Sequence, residues 1–180
     1  MIAPSLTGTI VELRSVTETD LNNLVNWYNE PNIFRFMSRD TPLTMDDQLA
    51  WYASTQSSPN VLVWAVIDRD TKTLIGSATL RNLTDPARRA EIGVLLGVSG
   101  SGFGSDVVRV ILSYAFKVLD IQCVSSEVRG DNRRAISTNM RAGFKPEGIL
   151  RRRLLKDGTL HDLYSMSILS EEFEAVDTQW

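Results

Sequence analysis

Apolar and polar residues alternate over several short stretches of the chain, a pattern typical of β-strands with one buried face. Two pairs of these stretches are separated by short polar turns, DRDTK at 68–72 and Asp157-Gly158, which predicts two antiparallel hairpins. The predicted strands are 8–14, 61–68, 73–81, 90–96, 122–129, 146–155 and 161–169.

Apolar residues at helical spacing lie between these strands. The predicted helices are 17–27, a short one after Pro31, one capped by Thr44, 105–118, and 132–142, which ends at Gly143. The order of elements is β, helices, βββ, α, β, α, ββ. It predicts an α/β fold of the α+β type, with a mixed, mostly antiparallel sheet flanked by helices.

The composition fits one globular domain spanning 1–180, with a core at about 6–170. The chain has 180 residues, 43% of them hydrophobic, and a formal net charge of −3, which argues against a nucleic-acid partner. No apolar run approaches the ~18 residues that cross a bilayer, and the first residues lack the pattern of a signal peptide. We therefore expect a cytoplasmic protein without a membrane partner.

The chain has one cysteine and one histidine, which limits the metal sites and catalytic triads that it can form. Cys123 is the only cysteine, so neither an internal disulfide nor a cysteine-based metal cluster can form, and we predict no metal site. A Ser-His-Asp hydrolase would depend on His161, the only histidine, and no GxSxG motif is present.

The strongest chemical signal is a glycine-rich loop that opens a predicted helix. Glycine allows sharp turns and close approach of a ligand, and the first amides of a helix are unpaired and partly positive. The loop therefore indicates a phosphate or pyrophosphate cradle. A plain tight turn and a dinucleotide-binding loop are the alternatives, but the spacing is GxGxG and no βαβ unit surrounds it. The candidate ligand residues are Gly100, Ser101, Gly102, Phe103, Gly104 and Ser105.

A second polar element follows the next strand. Asn132 stands where a strand ends and a helix begins, so it can cap the helix or offer its amide to a ligand. Together, GSGFG at 100–104 and NRRAI at 132–136 followed by GF at 143–144 resemble the GNAT superfamily of acyl-CoA N-acyltransferases. More narrowly, the chain resembles the branch of the ribosomal-protein N-terminal alanine and serine acetyltransferases. The supporting segments are LTGTIVELR at 6–14, NWYNEP at 26–31, AEIG at 90–93, DGTLHD at 157–162 and YSMSIL at 164–169.

This resemblance implies an enzyme that transfers an acetyl group from acetyl-CoA to a primary amine by direct attack in a ternary complex. It implies a sheet that diverges between the fourth and fifth predicted strands, with main-chain amides near Leu95 and Leu96 binding pantetheine. The aromatic residues Trp27, Tyr28 and Phe34 lie where the family builds its acceptor pocket, although helix packing is the simpler role for most of them. The resemblance leaves open both the acceptor (peptide N-terminus, antibiotic, polyamine or amino sugar) and a homodimer.

The catalytic residues are less clearly indicated. Glu127 resembles the general base of some N-terminal acetyltransferases and Glu91 is the other candidate, but either could instead pair with Arg88, Arg89 or Arg129. Asn139 stands where many relatives have a tyrosine that protonates the thiolate, and Ser99 replaces the usual Gln or Arg of the loop. These departures keep open the alternative of a non-catalytic acyl-CoA sensor. A further alternative is a nucleotide-binding domain that uses the same glycine loop for a different pyrophosphate.

Overall fold

The computed structural model describes residues 2–98 and 102–177, and these form one eight-stranded sheet with six α-helices. The strand order is β1-β2-β3-β4-β5-β6-β8-β7. The strands are β1 (Leu6–Thr7), β2 (Val11–Ser15), β3 (Val61–Asp68), β4 (Leu74–Arg81), β5 (Arg89–Leu96), β6 (Cys123–Arg129), β7 (Lys145–Lys156) and β8 (Thr159–Leu169). The helices are α1 (Leu21–Asn29), α2 (Pro31–Phe34), α3 (Met45–Ser57), α4 (Phe103–Lys117), α5 (Arg133–Arg141) and α6 (Ser170–Asp177).

The sheet diverges between β5 and β6, which are parallel while all the other neighbouring strands of the described chain are antiparallel. The register pairs Arg89 with Cys123, Ala90 with Val124 and Glu91 with Ser125, and stops there. Both strands continue beyond this point, β5 to Leu96 and β6 to Arg129. The predicted mixed sheet with an opening between these two strands is confirmed.

Helices cover the two faces of the sheet unequally. On one face, which we call the α4 face, the strands pack against Val107, Val108, Ile111, Leu112 and Ala115 of α4. On the opposite face, Val63, Ala65 and Ile67 of β3 pack against Leu21 and Leu24 of α1, with Trp51 and Tyr52 of α3 alongside. No helix in the described part of the chain is long and apolar enough to cross a membrane.

The N-terminal strand differs from its prediction. In place of one strand at 8–14 the structure has the short hairpin β1–β2, because Asp106 of α4 binds the connecting turn. The Asp106 carboxylate accepts hydrogen bonds from the main-chain N–H groups of Thr9 (3.1 Å), Ile10 (2.8 Å) and Val11 (3.1 Å). Sequence alternation could not reveal a partner almost 100 residues away.

Asp106 should be a large contributor to stability, because its buried carboxylate satisfies three amides and the Arg109 guanidinium (3.0 Å). Burial alone would raise the pKa of Asp106, but these hydrogen bonds outweigh it and hold the pKa below its usual value. We expect Asp106→Asn to lower the free energy of unfolding at pH 7 by about 2–3 kcal/mol, as for charged hydrogen bonds, measured by urea denaturation.

The pH dependence of this effect has a defined sign. A lowered folded-state pKa stabilises the protein above the unfolded pKa of about 3.9, and the contribution is lost as the pH falls through the folded-state value. The wild type and Asp106→Asn should therefore converge in stability in strong acid. Asp46→Asn, at an exposed carboxylate of α3, is the control. A constant difference down to the lowest pH would contradict the assignment.

Helix starts follow the sequence signals. Asp20 accepts hydrogen bonds from the N–H (2.8 Å) and hydroxyl (2.9 Å) of Thr17, and a short 3₁₀ turn at Glu18–Asp20 precedes α1. Thr44 and Asp47 form the reciprocal pair at the start of α3. The C-terminal helix α6 was not predicted, because Phe173 is its only core residue among the α6 side chains that the structure describes.

Candidate active site

Helix α4 begins directly after the last described part of the glycine loop. Gly102 is the N-cap with φ of +96°, a left-handed conformation that glycine adopts without strain. The amides of Phe103, Gly104 and Ser105 are in the first turn, where a helix supplies no carbonyl acceptors. Gly100 and Ser101, and Ser99 before them, lie outside the described residues. The described part of the loop therefore suits an anionic group.

Helix α5 lies beside this first turn. A Cβ added to Gly104 would be 3.3 Å from Thr138 Cγ2, so the absence of a side chain lets the two helices approach closely. Asn132 caps α5, its Oδ1 accepting a hydrogen bond from the Ala135 N–H at 3.2 Å. The cap role is thus present. A ligand contact through the Asn132 amide nitrogen stays a prediction.

The main-chain N–H groups at the end of β5 point alternately toward β4 and toward the opening between β5 and β6. Gly97 donates its N–H to the Ile75 carbonyl of the neighbouring strand β4 at 2.9 Å. Because successive N–H groups point to alternate edges of a strand, the Leu95 amide also faces β4. The amides of Val94 and Leu96 face the opening toward β6, where strand pairing has ended. Leu96, of the two predicted residues, has the orientation suited to a bound pantetheine.

Trp27 packs against the main chain at this same end of β5. A Cβ added to Gly97 would overlap the Trp27 indole, so the ring lies directly on the glycine backbone. Trp27 is also partly buried against the Leu21 and Leu24 cluster. It is therefore both a packing residue, as the simpler prediction held, and a side chain at the mouth of the opening.

The two candidate carboxylates lie on the face of the sheet opposite α4. Val124 and Ser126 of β6 point to the α4 face, so Glu127, on the alternate side, points away from it. Glu91 is the register partner of Ser125 and shares that orientation. Glu91 forms an ion pair with Arg81 at 3.2 Å, whereas Glu127 is exposed. Of the two, Glu127 is the more exposed carboxylate and has no ion-pair partner among the described residues.

The arginines predicted as partners of these glutamates bind elsewhere. Arg88 pairs with Asp120 at 2.5 Å, Arg89 with Asp85 at 3.1 Å, and Arg129 with Asp131 at 2.6 Å. The partner of Glu91 is Arg81, directly opposite it on β4. Only the strand register reveals this pair.

Sequence reasoning missed Glu147, which lies on the same face. Its carboxylate accepts hydrogen bonds from the hydroxyls of Ser167 (2.8 Å) and Ser165 (3.2 Å), the latter being the register partner of Glu127. A bulge between Pro146 and Gly148 turns Glu147 toward β8, and the nearby proline was the only available signal. Burial, followed by the charge of Glu147, raises the pKa of Cys123 on this face.

Asn139 faces the core. It is buried, and its amide nitrogen donates to the Ser126 hydroxyl at 3.1 Å, which ties α5 to β6. An amide cannot act as a proton donor to a thiolate at neutral pH, so this geometry supports a packing role. The predicted catalytic role of Asn139 receives no geometric support.

The remaining aromatic candidates form a cluster beyond α1. The Tyr28 and Phe34 rings meet edge to face with centroids 6.3 Å apart, and burial raises the pKa of Tyr28. The Lys156 ammonium lies over the Phe34 ring, 3.5 Å from the ring centroid. Within the described residues no group of three His, Cys, Asp or Glu side chains is arranged to hold a metal ion.

Known proteins share this architecture. Residues 11–145 match the Acetyltransferase (GNAT) domain family. Uncharacterized N-acetyltransferase YoaA of Bacillus subtilis is 26% identical over 162 residues, which cover 87% of this chain and 92% of that protein. Putative ribosomal N-acetyltransferase YdaF, also of Bacillus subtilis, is 33% identical over 103 residues, 56% of each chain.

A solved structure with the same fold is spermidine N-acetyltransferase from Vibrio cholerae in complex with CoA and spermine. It superposes with a TM-score of 0.85 at 24% identity, covering 92% of this chain and 99% of that one. The family resemblance inferred from the sequence motifs is confirmed by the domain match and by these relatives. The chain therefore belongs to the GNAT acetyltransferase family and is an acetyl-CoA-dependent acyltransferase.

Proposed function

We propose that this enzyme moves the acetyl group of acetyl-CoA to a primary amine by direct attack in a ternary complex, with Glu127 as general base. The observation that carries the proposal is the opening between β5 and β6. One side of the opening presents main-chain amides of β5 that have no partner strand, and the other side carries an exposed carboxylate that has no ion-pair partner among the described residues.

The acetyl-CoA contacts follow from the directions of the amides. The first-turn N–H groups of α4, at Phe103, Gly104 and Ser105, would bind the pyrophosphate together with the predicted loop residues Gly100 and Ser101. The amide of Leu96, facing the opening, would donate to pantetheine, and that of Val94 would polarise the thioester carbonyl. A cradle of this kind would consist largely of main-chain groups, which suits a sequence with Ser99 in place of a longer polar side chain.

The proposed role of Glu127 is to remove a proton from the amine before it attacks. An alkyl ammonium with a pKa of about 10.4 is protonated at neutral pH, so Glu127 must first accept one proton, directly or through a water. The amine nitrogen then forms the C–N bond at the thioester carbon while the C–S bond breaks. The second nitrogen proton neutralises the departing thiolate. Because a thiol has a pKa of about 8.5, no strong acid is needed at the position of Asn139.

Acetyl-CoA turnover with a panel of amines tests this function. The panel contains spermidine, peptides that begin with Ala or Ser, an amino sugar and an aminoglycoside, and the readout is free CoA thiol together with the mass of the product. We expect thiol release that depends on one of these amines, with a mass increase of one acetyl group on the acceptor. The absence of amine-dependent release across the panel would contradict the proposal.

A second candidate is a non-catalytic acyl-CoA sensor, which the core-facing Asn139 and the paired Glu91 favour. It predicts thermal stabilisation by acetyl-CoA without thiol release. Because a ligand that binds the folded state raises the melting temperature, a thermal-shift comparison with NAD and ATP also tests the nucleotide-binding alternative. Stabilisation by NAD alone would overturn both acyl-CoA assignments.

A further inference from the structure

Lys156, at the end of β7, is a buried cation. Only 1% of the residue is exposed, and its ammonium donates to the Arg39 main-chain carbonyl while lying 3.5 Å from the centroid of the Phe34 ring. Within the described residues no carboxylate forms an ion pair with it. A buried ammonium without a counter-charge is costly unless other groups solvate it. Here the solvating groups come from the last residue of α2 and from the segment that follows it.

Arg129, at the end of β6, holds the same segment. It is 8% exposed, donates one guanidinium N–H to the Arg35 carbonyl, and lies 5.4 Å from the centroid of the Phe36 ring. Asp131 accepts its other hydrogen bonds at 2.9 and 2.6 Å. This hydrogen bonding lowers the pKa of Asp131. The Asp131 carboxylate therefore orients the Arg129 guanidinium toward residues 35 and 36.

We call residues 34–40 the clamped segment. Besides the two cations, the Asp40 carboxylate accepts the Asp157 N–H at 2.9 Å, which joins the segment to the β7–β8 turn. The two ends of the stretch that contains the clamped segment are joined by Asn29 and Leu43. The Asn29 amide nitrogen donates to the Leu43 carbonyl, and the Leu43 N–H donates to the Asn29 amide oxygen, both at 2.8 Å. The segment is thus fastened to the sheet by contacts that span more than 90 residues of sequence.

The clamped segment lies next to the candidate base. Arg129 follows Glu127 by two residues on β6, so both side chains leave the same face of the sheet. The Arg35 and Phe36 contacts of Arg129 therefore set the segment beside Glu127. Phe34 extends this wall to Tyr28 of α1. These aromatic and main-chain groups border the side of the opening from which an amine would approach.

We infer that Lys156 and Arg129 are positioning residues, which fix the clamped segment as one wall of the amine entrance and thereby set acceptor affinity. This inference rests on the proposed function. Acetyl-CoA would bind on the α4 side of the opening, by contacts that involve neither cation. Loosening the wall should affect the amine and leave the acyl donor unchanged.

Steady-state kinetics of Lys156→Met test the inference. Methionine has similar length and suits a buried site, so the fold should persist. We expect KM for the best amine of the panel to rise by about tenfold, as when a substrate-positioning contact is lost, with KM for acetyl-CoA within about twofold. Lys156→Arg, which keeps a charged donor, should recover part of the loss. Lys145→Met is the control, because Lys145 is an exposed residue of the same strand that pairs with Glu172.

Trypsin cleavage provides a readout that does not require acetyl transfer. Trypsin cuts after arginine, and the carbonyls of Arg35 and Arg39 are the acceptors of Arg129 and Lys156. Products cut after these arginines, followed by mass spectrometry, should form at least about fivefold faster in Lys156→Met than in the wild type or Lys145→Met, because loosened segments are cleaved preferentially.

The outcomes separate the two proposals. A wild type that transfers no acetyl group overturns the proposed function, while the cleavage result still decides whether the clamp exists. Equal changes in KM for the amine and for acetyl-CoA would overturn the positioning role. Unchanged cleavage after Arg35 and Arg39 would overturn the clamp itself.

Discussion

Replacing Glu127 with glutamine is expected to lower kcat by about 10²–10⁴-fold, the usual range for loss of a general base. The amide keeps the size of the side chain but cannot accept the ammonium proton at neutral pH. Because Glu127 is exposed on the face opposite α4, the substitution should leave folding and acetyl-CoA affinity nearly unchanged. Rates should be measured from pH 6 to 9, since an amine that deprotonates by itself at high pH would recover part of the lost rate.

Glu91→Gln is the matched control for this experiment. Glu91 lies on the same face but is engaged by Arg81, so we expect its substitution to change kcat by less than about threefold. A larger effect at Glu91 than at Glu127 would reverse their roles. Unchanged rates in both variants across the pH range would remove carboxylate base catalysis from the proposal.

Gly102→Val is expected to weaken acetyl-CoA binding by at least about 100-fold, by loss of the main-chain cradle. At φ of +96°, a β-branched residue is strongly disfavoured, so the turn before α4 must change its conformation. The added Cβ would also stand 3.3 Å from Ile10 Cδ1, which leaves little room for adjustment. Calorimetric titration with acetyl-CoA measures the effect directly.

Gly158→Val separates lost binding from general backbone strain. Gly158 also has a positive φ, +72°, but lies in the β7–β8 turn with open space around its would-be Cβ. This variant should lose stability while binding acetyl-CoA with wild-type affinity. Normal acetyl-CoA affinity in Gly102→Val would show that the glycine loop has been misassigned.

Local sequence signals predicted most of the fold. The Thr17–Asp20 and Thr44–Asp47 caps, the Asp157-Gly158 turn and the Gly143 stop each depend on residues a few positions apart, and each is present. The opening between β5 and β6 came from the family resemblance rather than from local pattern. Strand alternation placed Glu91 and Glu127 on strands, but could not say that they share a face.

Contacts between distant residues account for what the sequence left open. The Arg81–Glu91 pair depends on the β4–β5 register, and the orientation of Glu147 depends on a bulge. Lys156 reads as an ordinary exposed lysine of an edge strand, because the carbonyl and ring that solvate it are more than 100 residues earlier in the chain. Asp106 likewise gives no sign of the β1–β2 turn that it binds.

The short parallel seam between β5 and β6 has a consequence for how the protein folds. Strands β1 to β5 and strands β6 to β8 form two blocks, in which most neighbours are joined by nearby turns and can pair early. The blocks meet at three residue pairs, with Ala90 and Val124 buried beneath them. Joining the blocks therefore closes a loop of 34 residues, from Arg89 to Cys123, for the main-chain bonds of only three residue pairs. The gap that we propose for the thioester is therefore also a line along which few main-chain bonds hold the two halves of the native sheet together.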